Sequence, residues 1–312
     1  MDHSSALRVA VSGAGGLIGS ALVQRLAAEG HRVAPLVRRT PDAGEIGWDP
    51  DAGRLHSRDL QGVDAIIHLA GENIGTRWTK ARKARILASR VKGTQLLSET
   101  ASQMANPPRV MISASAVGIY GNRGDEILTE ESPLGGTHDF LVATGRQWEA
   151  GADAARAAGI RVVHPRFGLV LSRRGGALRR MLLPFRLGVG GRLGSGSQWM
   201  SWISIYDVVR ALSFLLVNEA GIGPVNVTSP EPVRNRDLAR TLGRVLSRPA
   251  VLPVPSLGLR LVFGEMADAT LLASTRVVPQ RLLQLGFQFQ HSALEPALRD
   301  VLRGEPRATF PS

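Results

Sequence analysis

The stretch ALRVAVSGAGGLIGSALVQRLAAEGHRVAPLVRR near the N-terminus leaves few folds open. The apolar run from Leu7 to Ser12 predicts a short strand, and Gly13, Gly16 and Gly19 follow at three-residue spacing. LIGSALVQRLAAEG then repeats apolar residues with the 3.6 period of an amphipathic helix and stops at Gly30. HRVAPLVRR predicts a second strand. Strand, helix and strand in that order form a βαβ unit, whose strands must pair in parallel.

The glycines in the first turn have physical reasons. Gly13 permits the tight turn, and Gly15 and Gly16 let backbone approach a pyrophosphate. Gly19 lets helix and strand pack closely. The helix opens at Leu17 and Ile18, where free N–H groups and the positive dipole end favour phosphate. The end of the second strand selects the cofactor. An Asp or Glu there would hold the ribose hydroxyls of NAD, whereas this chain has Arg38 and Arg39, which suit a 2′-phosphate. NADP(H) is therefore expected over NAD(H). The alternative is a structural turn with two solvated arginines.

Strand and helix go on alternating. VDAIIHLAG, from Val63 to Gly71, predicts a buried parallel strand ending in a small-residue turn. KARKARILASRVKGTQLLSETASQ predicts a long helix with a basic face. PRVMISASAVGIYG predicts a strand with Ser113, Ser115 and Tyr120 at or beyond its carboxyl end. FLVATGRQWEAGADAARAAG is read as one helix stopped by Gly159, IRVVHPRFGLVL as a strand, and WISIYDVVRALSFLLVNEA as strand then helix.

This order predicts an α/β fold, a Rossmann-type doubly wound parallel sheet with a smaller C-terminal α+β lobe. Ligands of such sheets lie outside the carboxyl ends of the strands, which places Arg38, Gly71, Ser115 and Arg166 on one edge. The glycine- and arginine-rich segment beginning SRRGGALRR is read as loops lining a cleft. The expected division is an NADP-binding domain of residues 1–170 and 200–230, and a substrate-side lobe of residues 171–199 and 231–312.

Composition excludes several chemistries. With no cysteine there is no disulfide, thiolate metal site or thiol catalysis, and no metal is expected. No apolar run reaches the ~20 residues of a membrane helix. MDHSSALRVAVSG lacks the charged and apolar regions of a signal peptide, so a cytoplasmic protein with no membrane partner is expected. The formal charge of +12 is nearly all arginine, with lysine only at Lys80, Lys83 and Lys92. The arginines are scattered and form no recognition motif. A phosphate-bearing cofactor or substrate explains them better than nucleic acid.

The segments HLAGENI, RILASRVKGT, SASAVGIYG, FLVATGRQWE, GGALRRMLLPFRLGVGGRLGSGSQWMSWI and VVPQRLLQLGFQF are specific in combination. In them, over nearly its whole length, the chain resembles the extended short-chain dehydrogenase/reductases. More narrowly it is similar to an atypical branch labelled sugar-nucleotide epimerase or cell-division inhibitor. The resemblance implies a Rossmann-type sheet, NADP, a C-terminal domain of unknown role, and a homodimer formed through two helices of the sheet domain. It implies that Ala70 and Gly71 pass beside the adenosine half of the cofactor; Leu69, Glu72, Arg90, Ser113 and Arg166 are the further candidates for the cofactor set, Arg166 as a ligand of a diphosphate or carboxylate or else a solvated charge. Ser115 would polarise a substrate carbonyl or alcohol. Arg90 stands where typical members have an asparagine.

The departure from the family lies at Leu141 and Gly145, which replace a tyrosine and a lysine. No lysine follows Lys92 and the only tyrosines are Tyr120 and Tyr206, so the chain holds no Tyr-x-x-x-Lys pair. A phenol near pKa ~10 is a poor base at neutral pH unless a neighbouring ammonium lowers it. Ser115 and Tyr120 are the catalytic candidates that remain; Tyr120 is equally read as an aromatic packed under the next loop. Glu149 is read as a surface or structural carboxylate, Asp139 as a helix cap, and His68 and His164 as core histidines. Trp199 and Trp202 either close over a ligand or pack the lobe. Two functions stay open. One is an NADP-dependent oxidoreductase or epimerase acting on a small carbonyl or hydroxyl compound. The other is a non-catalytic NADP(H)-binding sensor or regulatory protein.

Overall fold

A computed structural model describes residues 6–304; the start of the N-terminal reading and residues 305–312 of the lobe lie outside that range. The chain opens with β1 (Arg8–Ser12), α1 (Leu17–Ala28), β2 (Arg32–Val37) and β3 (Ile46–Gly47). Then come β4 (Ala65–His68), α2 (Lys80–Ser102), β5 (Val110–Ser113), β6 (Ser115–Ala116) and β7 (Ile127–Leu128). α3 (Phe140–Ala150), α4 (Asp153–Ala157), β8 (Arg161–Phe167), β9 (Leu169–Leu171) and α5 (Gly176–Arg186) follow. The remaining part holds β10 (Trp199–Met200), β11 (Trp202–Ser204), α6 (Ile205–Val217), β12 (Gly223–Val227), β13 (Val233–Arg234) and α7 (Asn235–Val245). It ends with α8 (Ser256–Phe263), β14 (Arg276–Val277), α9 (Gln280–Gln284) and α10 (Leu294–Arg303).

The central sheet runs β12-β8-β5-β4-β1-β2-β3, with β6 beside β8, and every pairing in it is parallel. The chain leaves β1 toward β2 and β3, then returns past β1 to β4 and β5. The crevice at the β1/β4 boundary is therefore the point where the winding reverses, which is where such sheets take their ligands.

Both sheet faces are covered, and strand residues divide between them by parity. Val9, Val11, Ile67, Ile112 and Val163 pack with Leu22 and Leu26 of α1 and Leu212 and Leu215 of α6. Ala10, Ile66, Met111 and Val162 pack with Leu97 and Ala101 of α2 and Ala155 of α4. Each such valine, leucine or isoleucine contributes roughly 1.5–3 kcal/mol on burial. No helix among the described residues is long and apolar enough to cross a membrane.

Two readings from sequence differ from the structure, and one strand was not read at all. FLVATGRQWEAGADAARAAG is two helices, broken at Gly151 and Ala152, where a Cβ on Gly151 would press to 3.1 Å from Thr94 of α2. The segment read as cleft loops contains α5, whose Leu178, Leu182 and Phe185 build the lobe core with Trp202, Leu238 and Leu298. GPVNV forms the edge strand β12; Pro224 lowers its strand propensity but is tolerated at a sheet edge. In addition, Leu282 and Phe287 join the core of the sheet and not that of the lobe.

Candidate active site

β1 ends at Ser12, and the chain turns through Gly13 with φ +69°. A Cβ on Gly13 would lie 2.9 Å from the Ala70 nitrogen, so the turn needs glycine both for its backbone angle and for its contact with the β4 loop. A Cβ on Gly19 would collide with the Gly13 carbonyl, while one on Gly15 would meet only open space. Gly16 caps α1 with extended backbone, no side chain caps the helix, and no acidic residue lies in its first turn. This leaves a backbone cradle at a positive helix end, which fits the diphosphate of a dinucleotide.

The cradle opens into a groove of about 500 Å³ that includes Gly13, Gly16, Arg38, Leu69, Ala70, Gly71 and Glu72, all expected from sequence. Leu36, Trp48, Asp51, Arg85, Ala88 and Ser89 complete it and were not expected. The last three share one face of α2 at i, i+3 and i+4, which was the legible signal.

Arg38 stands 3.8 Å from Asp51, and both side chains are largely exposed. Arg39 does not line the groove. It pairs with Asp42 and Glu45 at 2.8 Å each, so its charge is already answered within its own turn. Glu72 is held by Arg82 at 2.5 Å.

Arg90 lies behind the groove wall. Its Nη1 donates to the carbonyls of Glu72 (3.1 Å) and Ile86 (3.2 Å), and its guanidinium stacks over Trp148 at 4.9 Å. Burial pulls its pKa down to about 10.

At the carboxyl ends of β1, β4 and β5 the register sets Ser12, His68 and Ser113 side by side. His68 is fully buried with Nδ1 2.6 Å from Ser12 Oγ. Burial, with Arg90's charge added, drives its pKa to about 3, so it is a neutral core histidine. His164 is likewise buried, with Nδ1 3.3 Å from the Ser113 carbonyl and Nε2 3.2 Å from Arg156 Nη2. Ser113 is wholly buried and away from the groove, against its expected place in the cofactor set.

One polar network crosses the ends of β6, β8 and β12. Ser115 Oγ donates to Glu149 Oε1 at 2.7 Å. Arg166 clamps both oxygens of Glu149 through Nε (2.8 Å) and Nη2 (2.9 Å), and its Nη1 donates to Tyr120 Oη at 2.8 Å. Tyr120 in turn donates to Asn226 Oδ1 at 2.8 Å. Burial pulls the Glu149 carboxyl upward, but the bonds and charge of Arg166, with Ser115, outweigh it and hold the group below the usual carboxylate range. Burial pushes the Tyr120 phenol up, and Arg166 only partly offsets this.

Two expected roles change on this geometry. Arg166 is buried and three of its five N–H donors go to Glu149 and Tyr120, which ties it to this network and away from the groove. Tyr120 is fully buried among Ile119, Leu128 and Val277 with its proton committed to Asn226, so it is the packed aromatic and not a group facing the cleft.

Ser115 is itself only 1% exposed, whereas the Glu149 side chain keeps 14%. Glu149 is thus the most exposed member of the network. Its partnership had one sequence signal: an arginine inside the apolar strand RVVHPRF must find a carboxylate.

Asp139 caps α3, accepting from the N–H groups of Leu141 (2.8 Å) and Val142 (3.4 Å). Leu141 packs on Gly118, and a Cβ on Gly145 would lie 2.9 Å from Ile119 Cγ1. Trp199 is stacked between Arg234 (4.3 Å) and Arg276 (4.2 Å), and Trp202 is buried with Nε1 bonded to the Glu231 carbonyl at 2.9 Å. Neither tryptophan lines the groove.

Against known proteins, residues 9–228 match the family described as NAD dependent epimerase/dehydratase, and residues 254–301 match a domain of unknown function, DUF1731. An epimerase family protein of Mycobacterium bovis is 43% identical over 292 residues, covering 93% of this chain and 96% of that one. The crystal structure of human epimerase family protein SDR39U1 with NADPH superposes with a TM-score of 0.87 at 36% identity, over 95% of this chain and 99% of that one. MoeE5, solved in complex with UDP-glucuronic acid and NAD, superposes with a TM-score of 0.74 at 26% identity, over 93% and 96% of the two chains.

Proposed function

The chain belongs to the NAD dependent epimerase/dehydratase family, and from that premise we propose an NADP(H)-dependent oxidoreductase or epimerase of the extended short-chain dehydrogenase type. Its substrate is a small carbonyl or hydroxyl compound, a sugar nucleotide among the candidates, and Glu149 serves where the tyrosine and lysine are absent. The 2.7 Å bond from Ser115 to Glu149, with the carboxylate clamped by Arg166, carries this reading. Arg38 at the end of β2 and the NADPH bound by the human relative support the choice of cofactor. A homodimer through α2 and α3 belongs to the same reading.

When bound, the nicotinamide supplies or accepts a hydride. The residues of this chain manage the substrate oxygen and its proton. Glu149, kept ionised by Arg166, accepts the proton of a substrate hydroxyl. Ser115 keeps its proton, donating a hydrogen bond to the same carboxylate that holds Oε1 in place. A carboxylate held this far below neutrality is a weak base, so turnover forgoes part of the 10²–10⁴-fold that a well-tuned acid–base brings, roughly.

The burial of Ser115 and Tyr120 favours a second reading, an NADP(H)-binding protein that reports cofactor state without turnover. The test begins with a titration by NADPH, NADP, NADH and NAD. Cofactor oxidation and reduction are then followed with a panel of carbonyl and hydroxyl compounds that includes sugar nucleotides. Turnover lost in Ser115→Ala and Glu149→Gln supports the enzyme. Tight NADPH binding with no turnover, unaffected by either change, supports the sensor.

A further inference from the structure

Two adjoining parts of the lobe expose apolar side chains that its core does not use. On α5 and its C-cap, Leu178, Leu182 and Phe185 are buried, while Leu183 and the capping Leu187 are exposed. With Arg179 and Arg186 these two leucines share one face at i, i+4, i+7 and i+8 spacing. On α8, Leu259 is buried, while Leu257 and Leu261 are exposed one turn apart beside Arg260.

The segment between the helices joins the two faces. Arg248 Nε donates to the Arg186 carbonyl at 3.1 Å, the Val254 N–H to the Arg192 carbonyl at 2.8 Å, and the Gly194 N–H to the Val254 carbonyl at 2.8 Å. Val189, Val251 and Leu252 are exposed along this seam. Both helices also hold one loop: Arg180 donates to the Gly75 carbonyl, and Arg77 donates to the Leu261 carbonyl at 2.6 Å. The exposed residues therefore belong to one region of the surface, and each of them is between 50% and 75% exposed.

The charge of this region is predominantly positive, and Glu265 at its margin is held by Lys83. Residues 176–195 and 248–264 carry Arg179, Arg180, Arg186, Arg192, Arg248 and Arg260 and not one Asp or Glu. Among the described residues, only Arg260 of these reaches a carboxylate, Asp268 at 2.9 Å. A second copy of the chain on this face would set arginines against arginines. Arginine instead suits phosphate through paired N–H donors, and exposed leucines between arginines suit the boundary of headgroup and acyl chain.

We propose that this face docks the lobe on an anionic lipid surface, with the leucines and valines entering the acyl boundary and the arginines meeting lipid phosphates. The expectation of no membrane partner came from the lack of a spanning segment, and a docking face needs none.

The test is co-sedimentation of the full chain with vesicles of phosphatidylcholine and phosphatidylglycerol, against vesicles of phosphatidylcholine alone, at about 0.1 M salt. The expected result is binding to the anionic vesicles only, weakened by added salt. Each arginine neutralised should cost about fivefold in partitioning. Arg186→Gln with Arg248→Gln, and separately Leu257→Asp with Leu261→Asp, should lose binding while the circular dichroism and NADPH titration stay unchanged. Equal partitioning onto both vesicles would overturn the proposal, as would binding to neither. So would a concentration-dependent dimer that the same variants disperse without vesicle binding.

Discussion

A Cβ on Gly145 would lie 2.9 Å from Ile119 Cγ1, so the isoleucine closes the space beside this glycine and leaves no room for a side chain. Gly145→Ala should destabilise the protein by about 1–3 kcal/mol through overpacking. Pairing it with Ile119→Val should recover part of that loss. Urea unfolding of the two singles and the double tests this, and equal stability of Gly145→Ala and wild type would sink it.

Arg166 and Glu149 should behave as one unit. Arg166→Met leaves a carboxylate in a nearly closed site and should cost about 3–5 kcal/mol. Glu149→Leu added to Arg166→Met should regain most of it, since removing both charges removes the unpaired one. The coupling energy from a double-mutant cycle decides; additive losses would mean the pair is not the unit its geometry describes.

His68 sets an acid limit. Its folded pKa of about 3 lies below the ordinary 6.5, so the unfolded chain takes up a proton before the native state does. Stability from this group is whole above pH ~6.5 and falls as pH drops through the interval toward 3. The loss should reach about 2 kcal/mol by pH 5. His164, also depressed by burial, acts in the same direction. Glu149, depressed as well, stabilises above the ordinary carboxylate range and loses that contribution only as pH falls through it, below this window. Chemical denaturation from pH 7.5 to 5 should therefore show a declining stability that flattens in His68→Gln.

Cofactor choice should rest on Arg38 and not on Arg39. Arg38→Ala should weaken NADPH at least tenfold, about 1.4 kcal/mol or more, and leave NADH unchanged. Arg39→Ala should leave both unchanged, because Asp42 and Glu45 already hold that guanidinium. Asp51→Asn should tighten NADPH by freeing Arg38 of its competing carboxylate. Calorimetric titration reads all three, and a loss of NADPH affinity in Arg39→Ala would reverse the assignment.

Much of this protein is legible in its sequence. The glycine turn and the helix after it follow from local rules: period, steric freedom at Gly13, and the dipole at the start of α1. Their partners are close in sequence, so a window of some thirty residues contains the whole argument, roughly the length of a βαβ unit. The absence of a Tyr-x-x-x-Lys pair needed only a count of lysines and tyrosines.

What lay beyond reach depends on contacts between distant segments. Arg39 and Arg38 look alike as letters, and only the turn that brings Asp42 and Glu45 to one of them tells them apart. Arg166 reads as a phosphate ligand until β8 lies beside β6, and α3 lays Glu149 across both. Tyr120 reads as a cleft residue until Asn226, 106 positions later, takes its proton. Local sequence determined the cradle because backbone geometry is local. Which polar groups remain free to act was decided by tertiary structure, because a buried charge or hydroxyl is claimed by whichever partner the packing brings within reach.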